Sequence, residues 1–247
     1  MQSLVVTGAS RGIGAAVAAL AGARGYAVAV GFRDDATSAG EVVAAIRSAG
    51  GTALAVRADV ADEDDVVGLF AAAEEQLGPL AGLVNNAGIT GPLTRLESLA
   101  AADLAAVLAV NVGGAILCAR EAVRRMSTQR GGSGGAIVNV SSRAAHLGGA
   151  GEWVHYAASK GAIDTLTVGL AREVAADGIR VNAVAPGLIA TGLHAAAGAP
   201  DRLERLAPGI PLQRPGTPAE VAEAVLWLMS AEAAYLTGAI LPVSGGR

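Results

Sequence analysis

The chain has 247 residues, 52% of them hydrophobic and 16% charged, with a net charge of −4. That length suits one α/β domain over residues 1–247, and the apolar share excludes a disordered chain. The acidic balance speaks against nucleic acid as a partner, and a single cysteine, Cys118, excludes an internal disulfide or a cysteine metal cluster.

The N-terminus, MQSLVVTGAS, has no basic region ahead of its apolar run, so LVV (4–6) reads as a first strand rather than part of a signal peptide. TGASRGIG (7–14) follows, opening a helix from about Ile13. AVAVG (27–31) is a second strand, and a helix runs through EVVAAIRSAG. TALAVRADV (52–60) is a third strand, and the acidic turn DEDD (62–65) starts a helix, where acid suits the macrodipole. LAGLVNNAG (80–88) is a fourth strand with its loop, and one helix covers roughly 100–126. GGSGG (131–135) reads as a flexible connector into strand AIVNVSS (136–142). A helix through Tyr156 and Lys160 leads to strand IRVNAVAPG (179–187). The stretch 188–210 has few strand signals and is expected to form a substrate loop or lid. TPAEVAEAVLWLMS is a capped helix with Thr217 as N-cap, Pro218 first and Glu220 third, and AILPVSGG is a seventh strand. No 18-residue apolar run is free of glycine and charge, so no membrane span and a cytoplasmic location are expected. Strands alternating with helices predict an α/β fold with a parallel sheet covered on both faces.

The glycine loop carries the first chemical signal. Glycines at 8, 12 and 14 sit between a strand and a helix, where the backbone can turn sharply and free N–H groups at a helix start attract phosphate. No G-K-S/T follows, so a dinucleotide is favoured over ATP or GTP. Strand two should end beside the adenosine ribose, where an NAD site usually places an acid. Here the strand ends GFRDD: Phe32 takes the acid's place and Arg33 follows, with Arg11 in the loop. Two guanidinium groups suit a 2′-phosphate, so NADP(H) is favoured. Asp34 and Asp35 keep NAD(H) open.

HYAASKGAID (155–164) carries the second signal. Tyr156 and Lys160 are four residues apart and share one helix face. Alone, such a pair is more often a packed helix surface. A free phenol has a pKa of about 10, and a neighbouring ammonium would lower it toward proton exchange near neutrality.

In their order along nearly the whole chain, these stretches resemble the motifs of the short-chain dehydrogenase/reductase family. TGASRGIG is similar to its cofactor loop, ADV (58–60) to its adenine-contacting segment, NNAG (85–88) to its strand-four motif, and APGLIAT (185–191) to its nicotinamide loop. Asn111, Ser142, Tyr156 and Lys160 line up with its catalytic four. The resemblance implies cofactor contacts from Gly8, Ser10, Arg11, Gly12, Ile13 and Gly14. It adds Asp59 (on the base) and Val60, then Asn86, Ala87 and Gly88, then Pro186, Gly187, Ile189 and Thr191, with Tyr156 and Lys160 contributing as well. The implied fold is a doubly wound, Rossmann-type seven-stranded sheet in the order 3-2-1-4-5-6-7, and the implied assembly a homotetramer. The implied reaction passes hydride between nicotinamide and a small-molecule carbonyl or secondary alcohol. Ser142 would bond the oxygen and Tyr156 would move the proton. Lys160 would tune Tyr156 and hold ribose hydroxyls, and Asn111 would position a water linking Lys160 to solvent.

One departure is local. The segment between Ser142 and Tyr156 looks one residue longer than in many members, and Ser141 competes with Ser142 for the role. A sugar or polyol dehydrogenase and a non-catalytic cofactor-binding sensor are the alternatives, and a 3-oxoacyl thioester reductase remains open. The substrate pocket is expected from residues near 92–96, 143–155 and 188–210, with no dense basic patch and His194 as the main polar group of the last stretch. His155 is expected at the substrate entrance or the surface, Trp153 in packing or the pocket wall, and Trp227 in the core or an interface. His146, His155 and His194 lack metal-ligand spacing, so no metal is expected.

Overall fold

The structure is a computed structural model that describes residues 2–193 and 197–247, so His194 lies outside the described residues. Seven strands form the sheet: β1 (Ser3–Val6), β2 (Ala27–Phe32), β3 (Thr52–Arg57), β4 (Leu80–Asn85), β5 (Gly135–Val140), β6 (Ile179–Pro186) and β7 (Ile240–Val243). Their order is β3-β2-β1-β4-β5-β6-β7, and every pair is parallel. The helices are α1 (Gly12–Ala23), α2 (Ala36–Ser48), α3 (Glu63–Leu77), α4 (Ala101–Leu108), α5 (Ala115–Met126), α6 (Ala144–Leu147), α7 (Val154–Val174), α8 (Arg202–Leu206) and α9 (Pro218–Met229).

Strand side chains alternate between two cores. Leu4 and Val6 of β1 face one side with Val17 of α1, Val43 of α2 and Val221 of α9. Val5 faces the other with Phe70 of α3, Cys118 of α5 and Ala171 of α7. A sheet buried on both faces explains why its strands are almost wholly apolar. Burial pushes the Cys118 thiol up to about 12, so it behaves as a small core residue.

Local chemistry sets the element ends. Thr217 caps α9 by accepting from the Glu220 N–H at 3.2 Å, and the Glu220 carboxylate accepts from the Thr217 N–H at 2.8 Å. Asp62 caps α3 by accepting from Asp65 N–H at 3.0 Å, so the acidic turn is a solvated helix start. The Arg180 guanidinium donates to the main-chain oxygens of Leu228, Met229 and Ser230, satisfying the last carbonyls of α9.

The structure refines several expectations. The helix expected over 100–126 contains a π-helical segment, Ala109–Gly114, between α4 and α5. Ala101–Met126 also has the length and hydropathy of a membrane span, although glycines and charges in its sequence argued otherwise. GGSGG is not loose: a Cβ on Gly132 would lie 2.4 Å from Arg125 O, and one on Gly134 2.5 Å from Gly178 O. Trp227 stands 41% exposed, so of its two expected places, core or interface, it does not take the core. Within 188–210, Ile189 makes a parallel bridge to Gly216 and the stretch then forms α8.

Candidate active site

The strand order turns between β1 and β4, which opens a crevice at the carboxyl ends of the strands. A cleft of about 830 Å³ occupies it. Its walls come from the segments that leave the strands: Gly8–Ile13 after β1, Phe32–Asp35 at the end of β2, Ala58–Val60 after β3, Asn86–Thr90 after β4, Ser141–Ala144 after β5 and Gly187–Ile189 after β6.

The glycine loop is held from beneath. Thr7 Oγ1 accepts from the N–H groups of Asn86 and Ala87, each at 3.0 Å. Asn86 Nδ2 donates to the carbonyls of Thr7 and Gly8, each at 2.9 Å. The Asn86 carboxamide is therefore committed to the loop, although the residue also lines the cleft. Gly8 has φ +61, and a Cβ there would lie 2.9 Å from Ala87 Cα, so only glycine fits. Gly14, unlike Gly8 and Gly12, does not line the cleft; it packs where a Cβ would meet Asn86 Nδ2 at 2.4 Å and Gly8 O at 2.5 Å. Gly14→Ala is expected to destabilise the protein by about 1–3 kcal/mol through overpacking, seen as an earlier urea midpoint with unchanged slope. No side chain caps α1, whose N-cap is Arg11, so its first-turn N–H groups face the cleft as donors for an anion. The glycine cradle, the uncapped helix and the volume of the cleft fit a dinucleotide.

Arg33 and Asp34 lie at one end of the cleft, paired at 2.6 Å and both more than half exposed. Asp35 is spent on α2, accepting from Ser38 N–H at 3.0 Å. Asp59 and Val60 line the cleft, and Asp59 Oδ1 accepts from Ala61 N–H at 3.0 Å. Pro186, Gly187, Ile189 and Thr191 also line the cleft, and a Cβ on Gly12 would lie 3.5 Å from Thr191 Cγ2.

α7 and the end of β5 bring the reactive side chains together. Ser142, Tyr156 and Lys160 all line the cleft. Lys160 is buried, its Nζ donating to Val140 O at 2.7 Å and lying 5.7 Å from the Tyr156 ring centroid. Burial lowers its pKa to about 8, with Asp164 opposing. Burial raises the Tyr156 phenol above its ordinary value, against the Ser142 hydrogen bond and the Arg202 charge. This reverses the expectation that Lys160 would pull the phenol down: the ammonium sits across the ring, bonded to a carbonyl, and loss of water dominates. Ser141 and Ser142 point apart. Ser141 Oγ bonds the Asp164 carboxylate and Lys160 O, whereas Ser142 Oγ accepts from Ala144 N–H at 3.1 Å on the cleft wall. Gly148, Gly149 and Gly151 all take positive φ in the segment before Tyr156.

Asn111 is 1% exposed and does not line the cleft. Its Oδ1 accepts from Ile89 N–H at 2.8 Å, and its Nδ2 donates to Ile89 O and Ser159 Oγ, each at 2.9 Å. Ser159 in turn donates to Tyr156 O at 2.7 Å. A Cβ on Gly88 would lie 3.3 Å from Asn111 Oδ1 and 3.5 Å from Lys160 Nζ, so this glycine lets both groups crowd the same spot. Sequence reasoning missed Ser159 and Thr7; a small hydroxyl in a helix or at a strand end carries no local signal of such a partner.

His155 is neither at the entrance nor at the surface: it is 3% exposed, with Nε2 2.9 Å from Thr90 O. Trp153 does line the cleft. No group of three or more His, Cys, Asp or Glu able to hold a metal occurs among the described residues.

A doubly wound parallel sheet with a glycine loop at its switch point and a tyrosine and a lysine lining the same cleft fits a dinucleotide-binding oxidoreductase. Comparison with known proteins narrows the class. A family model described as enoyl-(acyl carrier protein) reductase matches residues 8–247. The chain is 52% identical over 247 residues to the uncharacterized oxidoreductase YgfF of Escherichia coli K12, covering 100% of both chains. It is 45% identical to cis-4-hydroxycyclohexanecarboxylate dehydrogenase of Sinomonas cyclohexanicum, covering 98% of this chain and 94% of that one. A solved variant of a Serratia marcescens short-chain dehydrogenase/reductase superposes with a TM-score of 0.90 at 36% identity, over 99% of this chain and 97% of that one. The chain belongs to the short-chain dehydrogenase/reductase family, oxidoreductases of alcohol and carbonyl groups that bind nicotinamide cofactors.

Proposed function

We propose that the protein catalyses hydride transfer between NADP(H) and a small-molecule carbonyl or secondary alcohol, with carbonyl reduction as its working direction. The observation that carries this is the meeting of Ser142, Tyr156 and Lys160 on the wall of the cleft that begins at the glycine loop. When bound, the nicotinamide supplies or accepts the hydride. Tyr156 keeps its proton at neutral pH, because burial raises its phenol. It gives that proton to the substrate oxygen as negative charge develops there, and Ser142 donates a hydrogen bond to the same oxygen. Lys160, anchored on Val140 O, faces the tyrosine ring and would hold the nicotinamide ribose hydroxyls of a bound cofactor. Asn111 acts through its hold on Ile89 and Ser159, keeping the loop after β4 and the first turn of α7 in register beside Lys160. Alcohol oxidation uses the same groups with Tyr156 accepting the proton.

The cofactor preference rests on Arg33 and Arg11, which line the end of the cleft where strand two ends in Phe32 rather than an acid. Arg33→Ala is expected to raise KM for NADPH about tenfold, the worth of one charge-assisted contact, and to leave KM for NADH unchanged. Tighter NADH than NADPH binding in the unaltered protein would reverse the preference. The exposed side chains of Leu104, Leu108 and Ile116 on α4 and α5 support self-association, here read as a homotetramer. A buried free cysteine suits a cytoplasmic location.

The Sinomonas relative is named for oxidising a ring hydroxyl, which is chemistry of this class. The test follows nicotinamide absorbance over ketones, aldehydes, sugars and 3-oxoacyl thioesters with both reduced cofactors. Turnover by the unaltered chain, lost in Tyr156→Phe, is expected. Tight cofactor binding with no turnover across the panel would favour a cofactor-binding sensor.

A further inference from the structure

The wall of the cleft around Trp153 carries charge that proton and hydride transfer do not require. Arg143, Arg202 and Arg247 line it, and among the described residues Glu152 is the one side-chain carboxylate beside them. Arg202 takes most of that carboxylate: Nε and Nη2 donate to Glu152 Oε2 at 3.2 and 2.6 Å. Arg205 reaches the same group at 3.7 Å from the more exposed side. Glu152 is therefore shared between Arg202 and Arg205, the latter also 3.8 Å from Asp201, and neither acid pairs with Arg247.

The arginines are held in place. The Arg202 side chain is 12% exposed, and its guanidinium carbon lies 5.0 Å from the Trp153 ring centroid, a geometry that fixes the plane of the group. Arg247 is anchored by its main-chain oxygen, which accepts from Arg143 Nε at 2.8 Å and Ser244 Oγ at 2.9 Å. Its own guanidinium has no hydrogen bond or ion pair among the described residues. Burial and then the Arg202 charge lower its pKa, which marks two cations brought close together. The Arg202 charge also reaches Tyr156, so the cluster borders the reacting phenol. Leu147, Leu188 and Leu193 give the nearby wall apolar surface.

We infer that the substrate carries a free carboxylate, remote from its reacting oxygen, and that Arg202 and Arg247 bind it. This rests on the hydride-transfer reading above. A planar anion of single charge matches guanidinium donors and supplies the charge that Glu152 alone does not. The apolar wall covers the carbon body between carboxylate and carbonyl. An acidic protein surface does not reach an arginine this enclosed, so the anion belongs to a small molecule.

Cyclohexanecarboxylate, which has no oxygen to reduce, serves as the binding probe, with cyclohexanecarboxamide as its neutral partner. Calorimetry on protein saturated with oxidised cofactor is expected to give a Kd about tenfold lower for the carboxylate. Arg247→Met should erase that difference, and Arg202→Lys, which keeps the charge but not the planar fork, should reduce it. In turnover, 4-oxocyclohexanecarboxylate should exceed its methyl ester in kcat/KM, chiefly through KM, because remote binding is shared by ground and transition states. Equal Kd values with neutral ketones still reduced would overturn this inference and leave the hydride reading standing. Cyclohexyl phosphate binding more tightly than the carboxylate would overturn the choice of anion. Arg247-dependent carboxylate binding without turnover of any oxo acid would overturn the hydride reading itself.

Discussion

Tyr156→Phe is expected to lower kcat by roughly 10²–10⁴-fold, the usual worth of a positioned acid–base group. The substitution keeps the ring beneath Lys160 Nζ and removes only the hydroxyl beside Ser142. Cofactor affinity should hardly change, and stability should fall by no more than about 1 kcal/mol, since one hydrogen bond is lost. Stopped-flow measurement of the hydride step checks this more directly than steady-state turnover. The pH dependence follows from the raised phenol. Carbonyl reduction needs the protonated form, so its rate should hold through neutral pH and fall only above the ordinary tyrosine range. Alcohol oxidation needs the phenolate and should rise over the same interval. A Phe variant retaining a tenth of the activity would remove Tyr156 from the mechanism.

Lys160→Met should cost about 10²-fold or more in kcat without a matching loss of stability. The ammonium is buried at 4% exposure, and its pKa falls from 10.5 to about 8. At about 1.4 kcal/mol per unit, holding it charged costs the fold on the order of 3 kcal/mol below pH 8. Both states are protonated there, so the cost is constant. Between about pH 8 and 10.5 the unfolded chain holds a proton that the folded chain has shed, and stability rises with pH. Methionine removes this charge at similar length but leaves Val140 O without its donor, an opposing cost of about 1–3 kcal/mol. The variant should therefore melt at or above the temperature of the unaltered chain at pH 7. It should also lack the unaltered chain's gain in stability between pH 8 and 10.5. Calorimetric scans across that range separate the two; a large drop in melting temperature at pH 7 would mean that the lysine is structural.

The sheet was readable because its strands leave a strict local trace: short apolar runs, each followed by a helix of ordinary length. The glycine loop was readable for the same reason, since turn, cradle and helix start are contiguous. Asn111 was visible as an oddity between valines, but its environment was not. The bonds from Asn111 to Ile89 reach main chain 22 residues away, which no local pattern around Asn111 records. Lys160 was read by charge alone; the water excluded around Tyr156 has no sequence signature, and it decides the sign of the shift. The arginine cluster was missed outright. Glu152, Arg202 and Arg247 are spread over nearly a hundred residues, and each alone looks like an ordinary surface charge. His155 was misplaced because a histidine next to a reactive tyrosine suggests the pocket, whereas α7 turns it inward against Thr90.

The strand order carries a consequence for synthesis. β2 and β3 are added outward on one side of β1, then β4 to β7 outward on the other, so each new strand meets an edge that already exists. A chain emerging from the ribosome can therefore assemble its sheet in the order of translation, without waiting for a distant strand to fill a gap. The two ends of the cleft then mature at different times. The glycine loop has its support once Asn86 has emerged and bonded Thr7 and Gly8. Arg247 reaches its place only after β7 has paired with β6. A nascent chain halted before β7 would present a nucleotide cradle beside an unfinished anion clamp.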